Sequence, residues 1–194
     1  MYIESIKIED GVVYNLEYHQ RRYEEVVRSL KKIPLSLADY IEIPKERGVW
    51  RCRVLYDADD ILKVEYFSYS MRKIESLKLV ESDTLDYSKK YADRGELDKL
   101  FLQRGECDDI LIVVDGCVSD ISIANIAFLK EGVWYTPSKP LLKGTTRERL
   151  LESKKIVAKE ITVKDIYSYE RVALLNAMID FAIIPQQNIR KVIC

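Results

Sequence analysis

The segment "IESIKIEDGVVYNL", Ile3 to Leu16, alternates apolar and polar residues on both sides of Asp10-Gly11. Successive side chains of a strand point to opposite faces, and an Asp-Gly pair reaches the positive-φ conformations of a tight turn, so the spacing predicts an antiparallel hairpin. A chain that opens this way must cover one sheet face. The next stretch, "YHQRRYEEVVRSLKKI", supplies the cover: Tyr23, Val26, Val27 and Leu30 recur at i, i+3, i+4 and i+7, the stripe of a helix with one buried side. "VWRCRVLYD" and "ILKVEYFSYS" then alternate around Asp57 to Asp60, completing an antiparallel sheet with a helix on one face that ends near Ile74.

The rest of the chain repeats these themes at larger size. "ESLKLVE" reads as a strand, and a helix follows through Leu97, Leu100 and Phe101. "DDILIVVDGCVSDISIANIAFLKEGVWYTP" predicts a meander of strongly apolar strands with turns at Asp115-Gly116 and Glu131-Gly132. After the helix that begins near Gly144, "IVAKEITVKDI" and "RVALLNAMIDFAIIP" cross the same sheet. The expected fold class is therefore α+β with two lobes: an N-terminal α+β lobe over 1-76 and a larger C-terminal α+β lobe over 77-194, with a ligand cleft between them.

Composition narrows the function classes. The 194 residues hold 31 Lys+Arg against 32 Asp+Glu, a formal charge of -1 without a like-charge block, which argues against nucleic acid as a partner. No apolar run approaches the ~20 residues of a membrane span, and "MYIESIKIED" lacks the apolar core of a signal peptide, so no membrane partner and a cytoplasmic location are expected. Cys52, Cys107, Cys117 and Cys194 form no metal-ligand spacing and read as free thiols. His19 is the one histidine, so a His-rich metal site or a His-based triad is not expected. Neither G-x-G-x-x-G nor G-x-x-x-x-G-K-[ST] occurs.

Against only 7 glycines, "PLLKGTTRERLLESKK" is notable, because Gly144-Thr145-Thr146 stands directly before a helix. A helix start exposes unpaired N–H groups, so it can hold a phosphate; equally, a threonine can cap it, with Arg147 and Glu148 in solvent. Two more features share this ambiguity. Lys89-Lys90 can be solvated lysines, and Asp120 a turn carboxylate.

Their order is more specific than any one of them. A lysine, an acid about thirty residues on and a Gly-Thr helix start resemble the class IV aminotransferase family, the fold type IV pyridoxal phosphate enzymes, and within it the aminodeoxychorismate lyases. Such enzymes need an amine for a Schiff base, an acid for the pyridine nitrogen and a backbone cradle for the phosphate. "YHQRRY" resembles the family's H-x-x-R segment, which implies that Arg22 contacts the cofactor phosphate. "KKYADR" resembles the lysine motif, making Lys90 the Schiff-base residue and Arg94 the end of the motif and a substrate contact, with Lys89 exposed and structural. "GCVSDISIANIAF" resembles the segment G-x-V-x-E-x-x-x-x-N-[IL]-F, so Asp120, one methylene shorter than the family's glutamate, faces the pyridine nitrogen beside Asn125. "KGTTRERL" resembles the phosphate-binding G-[IV]-[TMS]-R, assigning Gly144, Thr145 and Thr146 to the phosphate, and "LLNAMI" adds Asn176.

The resemblance implies pyridoxal 5'-phosphate in the cleft between the two lobes, a larger C-terminal lobe that is barrel-like, and a homodimer. The implied activity is 4-amino-4-deoxychorismate lyase, giving 4-aminobenzoate and pyruvate for folate biosynthesis, with Lys90 as general acid/base. A branched-chain or D-amino acid transaminase, a non-catalytic pyridoxal phosphate-binding protein and a cofactor-free interaction domain remain the alternatives. Both substrate classes carry carboxylates, for which Arg53 on "RCRVLY" is the first candidate; a solvated strand position is its other reading. His19 is expected to be structural, positioning the helix that carries Arg22. Family members usually have a further strand segment before Tyr2 and a longer tail after Pro185, so a compact relative with a more open cleft, or one that has lost catalysis, is expected.

Overall fold

The first turn decides which residues face the core. Strands β1 (Tyr2–Glu9) and β2 (Val12–Val13) are joined through Asp10 at φ 48° and Gly11 at φ 87°, left-handed values that the right-handed strand twist requires of a two-residue hairpin. Helix α1 (Leu16–Ser29) follows, then β3 (Val49–Tyr56) and β4 (Ile61–Ser68), giving an antiparallel sheet in the order β2-β1-β3-β4. β1 and β3 pair from Tyr2↔Tyr56 to Glu9↔Val49, so the even-numbered residues of both strands share one face. Ile6, Ile8, Cys52, Val54 and Tyr56 meet Tyr23, Val26 and Val27 of α1 there. Burying side chains of this size contributes about 1.5–3 kcal/mol each. Helix α1 stops at Ser29, short of the lysine pair Lys31-Lys32, and Lys31 takes a left-handed φ of 62°.

In this computed structural model, which describes residues 1–194, the chain divides into two units: Met1–Met71 with Lys89–Asp93, and Arg72–Ser88 with Arg94–Cys194. The sequence pattern put the whole lysine motif in the second lobe. Backbone pairing gives all of it but Arg94 to the first unit: Ile3 N–H donates to the Lys90 carbonyl at 2.9 Å, Ala92 N–H to the Met1 carbonyl at 3.1 Å, and Tyr2 bridges Tyr91 antiparallel. The exposed N–H and C=O groups of a strand edge are an obligatory pairing surface, and this segment takes it.

The second unit is built on two sheets. In the three-stranded one, β5 (Leu77–Glu81) runs parallel to β6 (Asp109–Val114), which pairs antiparallel with β7 (Cys117–Ile121), and helix α2 (Gly95–Phe101) lies between β5 and β6 in sequence. The five-stranded sheet contains β8 (Asn125–Lys130), β9 (Val133–Pro137), β10 (Val157–Lys159), β11 (Arg171–Asn176) and β12 (Asp180–Ile183) in the order β10-β9-β8-β11-β12. Helix α3 (Thr145–Glu152) links β9 to β10, and α4 (Ile189–Val192) follows β12. Leu77, Leu111 and Ile121 of the first sheet share one core with Ile126, Phe128, Val172 and Leu174 of the second. The meander expected over 108–137 is therefore split at Ser122–Ala124, where the chain leaves one sheet for the other. No helix is long and apolar enough to cross a membrane.

Candidate active site

Two clusters of buried polar groups stand out, one in each unit. In the first, the parity that points Ile6 and Ile8 inward also points Glu4 inward, where its side chain is completely buried. His19 and Arg22, at i and i+3 on α1, reach it together. Arg22 Nε donates to Glu4 Oε1 at 2.8 Å and Nη2 to Oε2 at 2.6 Å, while His19 Nδ1 donates to Oε2 at 2.6 Å. Burial alone would push the Glu4 carboxyl up; the Arg22 charge and the His19 and Arg22 hydrogen bonds outweigh it and hold it at about 2. Burial lowers the His19 pKa, the Glu4 contact opposes that, and the charges of Arg22 and Lys90 add to the lowering. His19 is thus neutral, with its proton on Nδ1, and its buried Nε2 has no protein partner.

Lys90 lies on the segment that pairs with β1 and is half-buried. Its neighbour Lys89, expected to be exposed, is half-buried too, because its Nζ donates to Ser29 Oγ at 2.9 Å and sits 5.8 Å from the Tyr2 ring centre. Arg53 has odd parity on β3 and turns away from the core, donating to Glu65 Oε2 at 3.0 Å across the β3–β4 pair.

The second cluster forms where β7 hands over to β8. Asp120 is 4% exposed; Asn125 Nδ2 donates to its Oδ1 at 2.8 Å and the Leu142 N–H to its Oδ2 at 3.0 Å. The same Asn125 amide donates to the Leu142 carbonyl at 2.8 Å, so the loop before α3 is pinned to the carboxylate. Burial pushes the Asp120 carboxyl up to about 6, against the Leu142 N–H, the Asn125 amide and the Arg147 charge. A carboxyl whose folded pKa exceeds its unfolded value costs stability once ionised; the cost is absent near pH 4, grows through about 6 and is full above that. Asp120→Asn is therefore expected to stabilise the ligand-free chain on the order of 2 kcal/mol at pH 8, after allowance for a weakened hydrogen bond. Urea denaturation at pH 8 and pH 4 checks this, since the gain must vanish at the lower pH.

Gly144 is the N-cap of α3 and has no side chain to cap with; Thr145 and Thr146 are the first two helical residues, and both are buried. The threonine-cap reading is thereby excluded. The first hydrogen bond of the helix runs from Glu148 N–H to the Gly144 carbonyl, which leaves the N–H groups of Thr145, Thr146 and Arg147 without an intrahelical acceptor. A Cβ on Gly144 would lie 2.0 Å from Asn125 Oδ1, so this glycine is required by the close approach of α3 to the Asp120–Asn125 pair. Arg147 is not in solvent, as the cap reading had it: it is 5% exposed, with Nη2 donating to the Pro137 carbonyl at 2.9 Å and Nη1 to Glu148 at 2.6 Å.

The turn between Asp120 and Asn125 is braced from three sides. Arg94 Nη2 donates to the Ser122 carbonyl at 3.0 Å, and Asn176 Nδ2 to the Ile123 carbonyl at 3.2 Å while its Oδ1 accepts from Met178 and Ile179 N–H. Ser122 Oγ donates at 2.9 Å to Asp109, a fully buried carboxylate that Arg72 also contacts. Sequence reasoning passed over Glu4, Arg147 and Asp109. For Glu4 a signal existed, since it shares the parity of Ile6 and Ile8 and so puts a charge on the apolar face.

The family model for amino-transferase class IV matches residues 89–186. An uncharacterized protein of Haemophilus influenzae is 38% identical over 182 residues, which cover 90% of this chain and 96% of the relative. A crystal structure from Haemophilus somnus, provisionally assigned as a 4-amino-4-deoxychorismate lyase, superposes with a TM-score of 0.84 at 39% identity over 91% of this chain and 95% of that one. A hypothetical aminotransferase of Mycobacterium tuberculosis in its pyridoxal phosphate-bound form shares the fold, with a TM-score of 0.80 at 16% identity over 98% of this chain and 82% of that one. The two-unit α+β fold, the buried Asp120–Asn125 pair against the start of α3 and the match over 89–186 lead to one statement: this chain belongs to the class IV amino-transferase family, with the fold type IV architecture.

Proposed function

We propose that the chain is a pyridoxal 5'-phosphate-dependent 4-amino-4-deoxychorismate lyase, cleaving its substrate to 4-aminobenzoate and pyruvate. The observation that carries this reading is Asp120, a buried carboxylate held by Asn125 and the Leu142 N–H but in no ion pair, beside a helix start with N–H groups to spare. The residues fit the cofactor: the carboxylate suits a protonated ring nitrogen, and the side-chain-free Gly144 and the first turn of α3 suit a phosphate. When bound, the group supplies withdrawal of electrons from the bonds next to the substrate amine.

The chain's own residues do the rest. Lys90 would hold the cofactor through its amine and, in its neutral form, would carry a proton to and from the reacting carbon. Asp120, ionised above about pH 6, keeps the proton on the ring nitrogen, and Asn125 fixes its plane. Thr145 and Thr146 hold the phosphate by their N–H groups, with Arg22 and Asn176 contributing. Arg53 and Arg94 are assigned to the substrate carboxylates, and the working form is a homodimer. The 39% identity to the Haemophilus somnus protein supports the lyase over a transaminase.

Incubation of the cofactor-saturated chain with 4-amino-4-deoxychorismate is expected to release 4-aminobenzoate, read by its fluorescence, and pyruvate in equal amounts. Amino transfer to a keto acid without 4-aminobenzoate would replace the lyase with a transaminase. Cofactor bound with neither reaction would reduce the chain to a binding protein.

A further inference from the structure

The Glu4–His19–Arg22 cluster is expensive, and the fold alone does not require it. A buried, ionised carboxylate is often no more stabilising than an apolar side chain of similar size, so its presence asks for a use. The three hydrogen bonds are charge-assisted and specify orientation. Two of them form a fork from Nε and Nη2 of Arg22 onto the two oxygens of Glu4, which fixes the plane of the guanidinium. The third, from His19 Nδ1 to Oε2, stops the carboxylate from rotating about its own axis. Glu4 comes from β1 and the other two from α1, so the guanidinium is held between a strand and a helix that share a core.

The charge balance adds a second constraint. Glu4 is ionised and His19 neutral, so Arg22 and its partner sum to zero. An anion meeting Arg22 is therefore recognised by directed N–H donors more than by net positive charge. A guanidinium has five donors in a fixed planar geometry, and with Glu4 on the Nε–Nη2 edge the directions of its other N–H groups are fixed as well.

We infer that Glu4, steadied by His19, is a positioning residue that aims Arg22 at the phosphate of the cofactor. The inference rests on the reading of Arg22 as a phosphate contact. It predicts an unusual sign. If net charge governed phosphate affinity, Glu4→Gln would tighten binding by uncovering Arg22; if orientation governs, the same change weakens it.

The test compares pyridoxal phosphate with pyridoxal, which lacks the phosphate, by fluorescence titration of the ligand-free chain. Glu4→Gln is expected to weaken the phosphorylated ligand about tenfold and pyridoxal less than about twofold, and His19→Asn, which leaves the Glu4–Arg22 fork in place, to narrow the same ratio by about threefold. Far-ultraviolet circular dichroism establishes that each variant is folded, and should Glu4→Gln not fold, His19→Asn decides alone. An unchanged or larger preference for the phosphorylated ligand in a folded variant overturns the inference, as does a parallel loss for both ligands. Arg22→Gln separates the positioning role from the contact that it serves. If Arg22→Gln removes the preference while Glu4→Gln and His19→Asn keep it, only the positioning role fails; if Arg22→Gln keeps it, the Arg22 phosphate contact fails and the inference falls with it.

Discussion

Lys90→Ala is expected to lose the near-ultraviolet or visible absorbance band that the cofactor gives on the wild-type chain, and to lower turnover by at least about a thousandfold, since it removes both the covalent attachment point and the proton carrier. The fold should survive, because Ile3 N–H pairs with the Lys90 carbonyl, which alanine keeps. Lys89→Ala is the internal control. Its Nζ contacts Ser29 and the Tyr2 ring, so its removal should leave the band intact and change activity by less than about twofold, as for most half-exposed contacts. Absorbance spectra and initial rates of the two variants side by side read the contrast. Equal effects at Lys89 and Lys90, or a Lys90→Ala enzyme within tenfold of wild type, would remove Lys90 from the chemistry.

Gly144→Ala is the second change with a large expected effect, and its cause is steric. Gly144 has φ -71° and ψ 141°, values that alanine adopts without strain, so the backbone offers no objection. The objection is Asn125 Oδ1, 2.0 Å from the new Cβ. Asn125 cannot swing aside freely, because its amide is bonded to both Asp120 and the Leu142 carbonyl. Either those bonds break or α3 withdraws, and the expected cost is about 2–3 kcal/mol of stability together with a loss of cofactor affinity of at least about tenfold. Denaturant unfolding and a cofactor titration measure the two effects. The double change with Asn125→Ala isolates the mechanism: once the obstructing oxygen is gone, Gly144→Ala should cost less than about 1 kcal/mol. Equal costs in both backgrounds would point to a different role for the glycine.

Much of this architecture was legible in local patterns. Period-two alternation around Asp10-Gly11, Asp115-Gly116 and Glu131-Gly132 identified strands and turns, and all six residues lie at positive φ in the structure. The stripe Tyr23, Val26, Val27 located the buried face of α1. Motif order picked out Asp120, Asn125 and Gly144, and the structure joins these three in one hydrogen-bonded and sterically matched cluster. Other features lay beyond the reach of any window of sequence. Arg147 looked like a solvated helix residue until β9 brought the Pro137 carbonyl to it, and the Lys89–Asp93 segment looked continuous with α2 until the edge of β1 claimed it.

What the sequence determined by itself is therefore the set of elements, their turns and the family to which the chain belongs, because side-chain periodicity, positive-φ residues and motif spacing are properties of neighbours along the chain. Only the tertiary structure decided which buried polar group answers which. Glu4 and Arg22 are 18 residues apart, and Asn176 is 53 from the Ile123 carbonyl that it caps. Such pairs are chosen by strand register and helix docking, and a buried donor or acceptor must be satisfied by whatever those long-range contacts bring within about 3 Å.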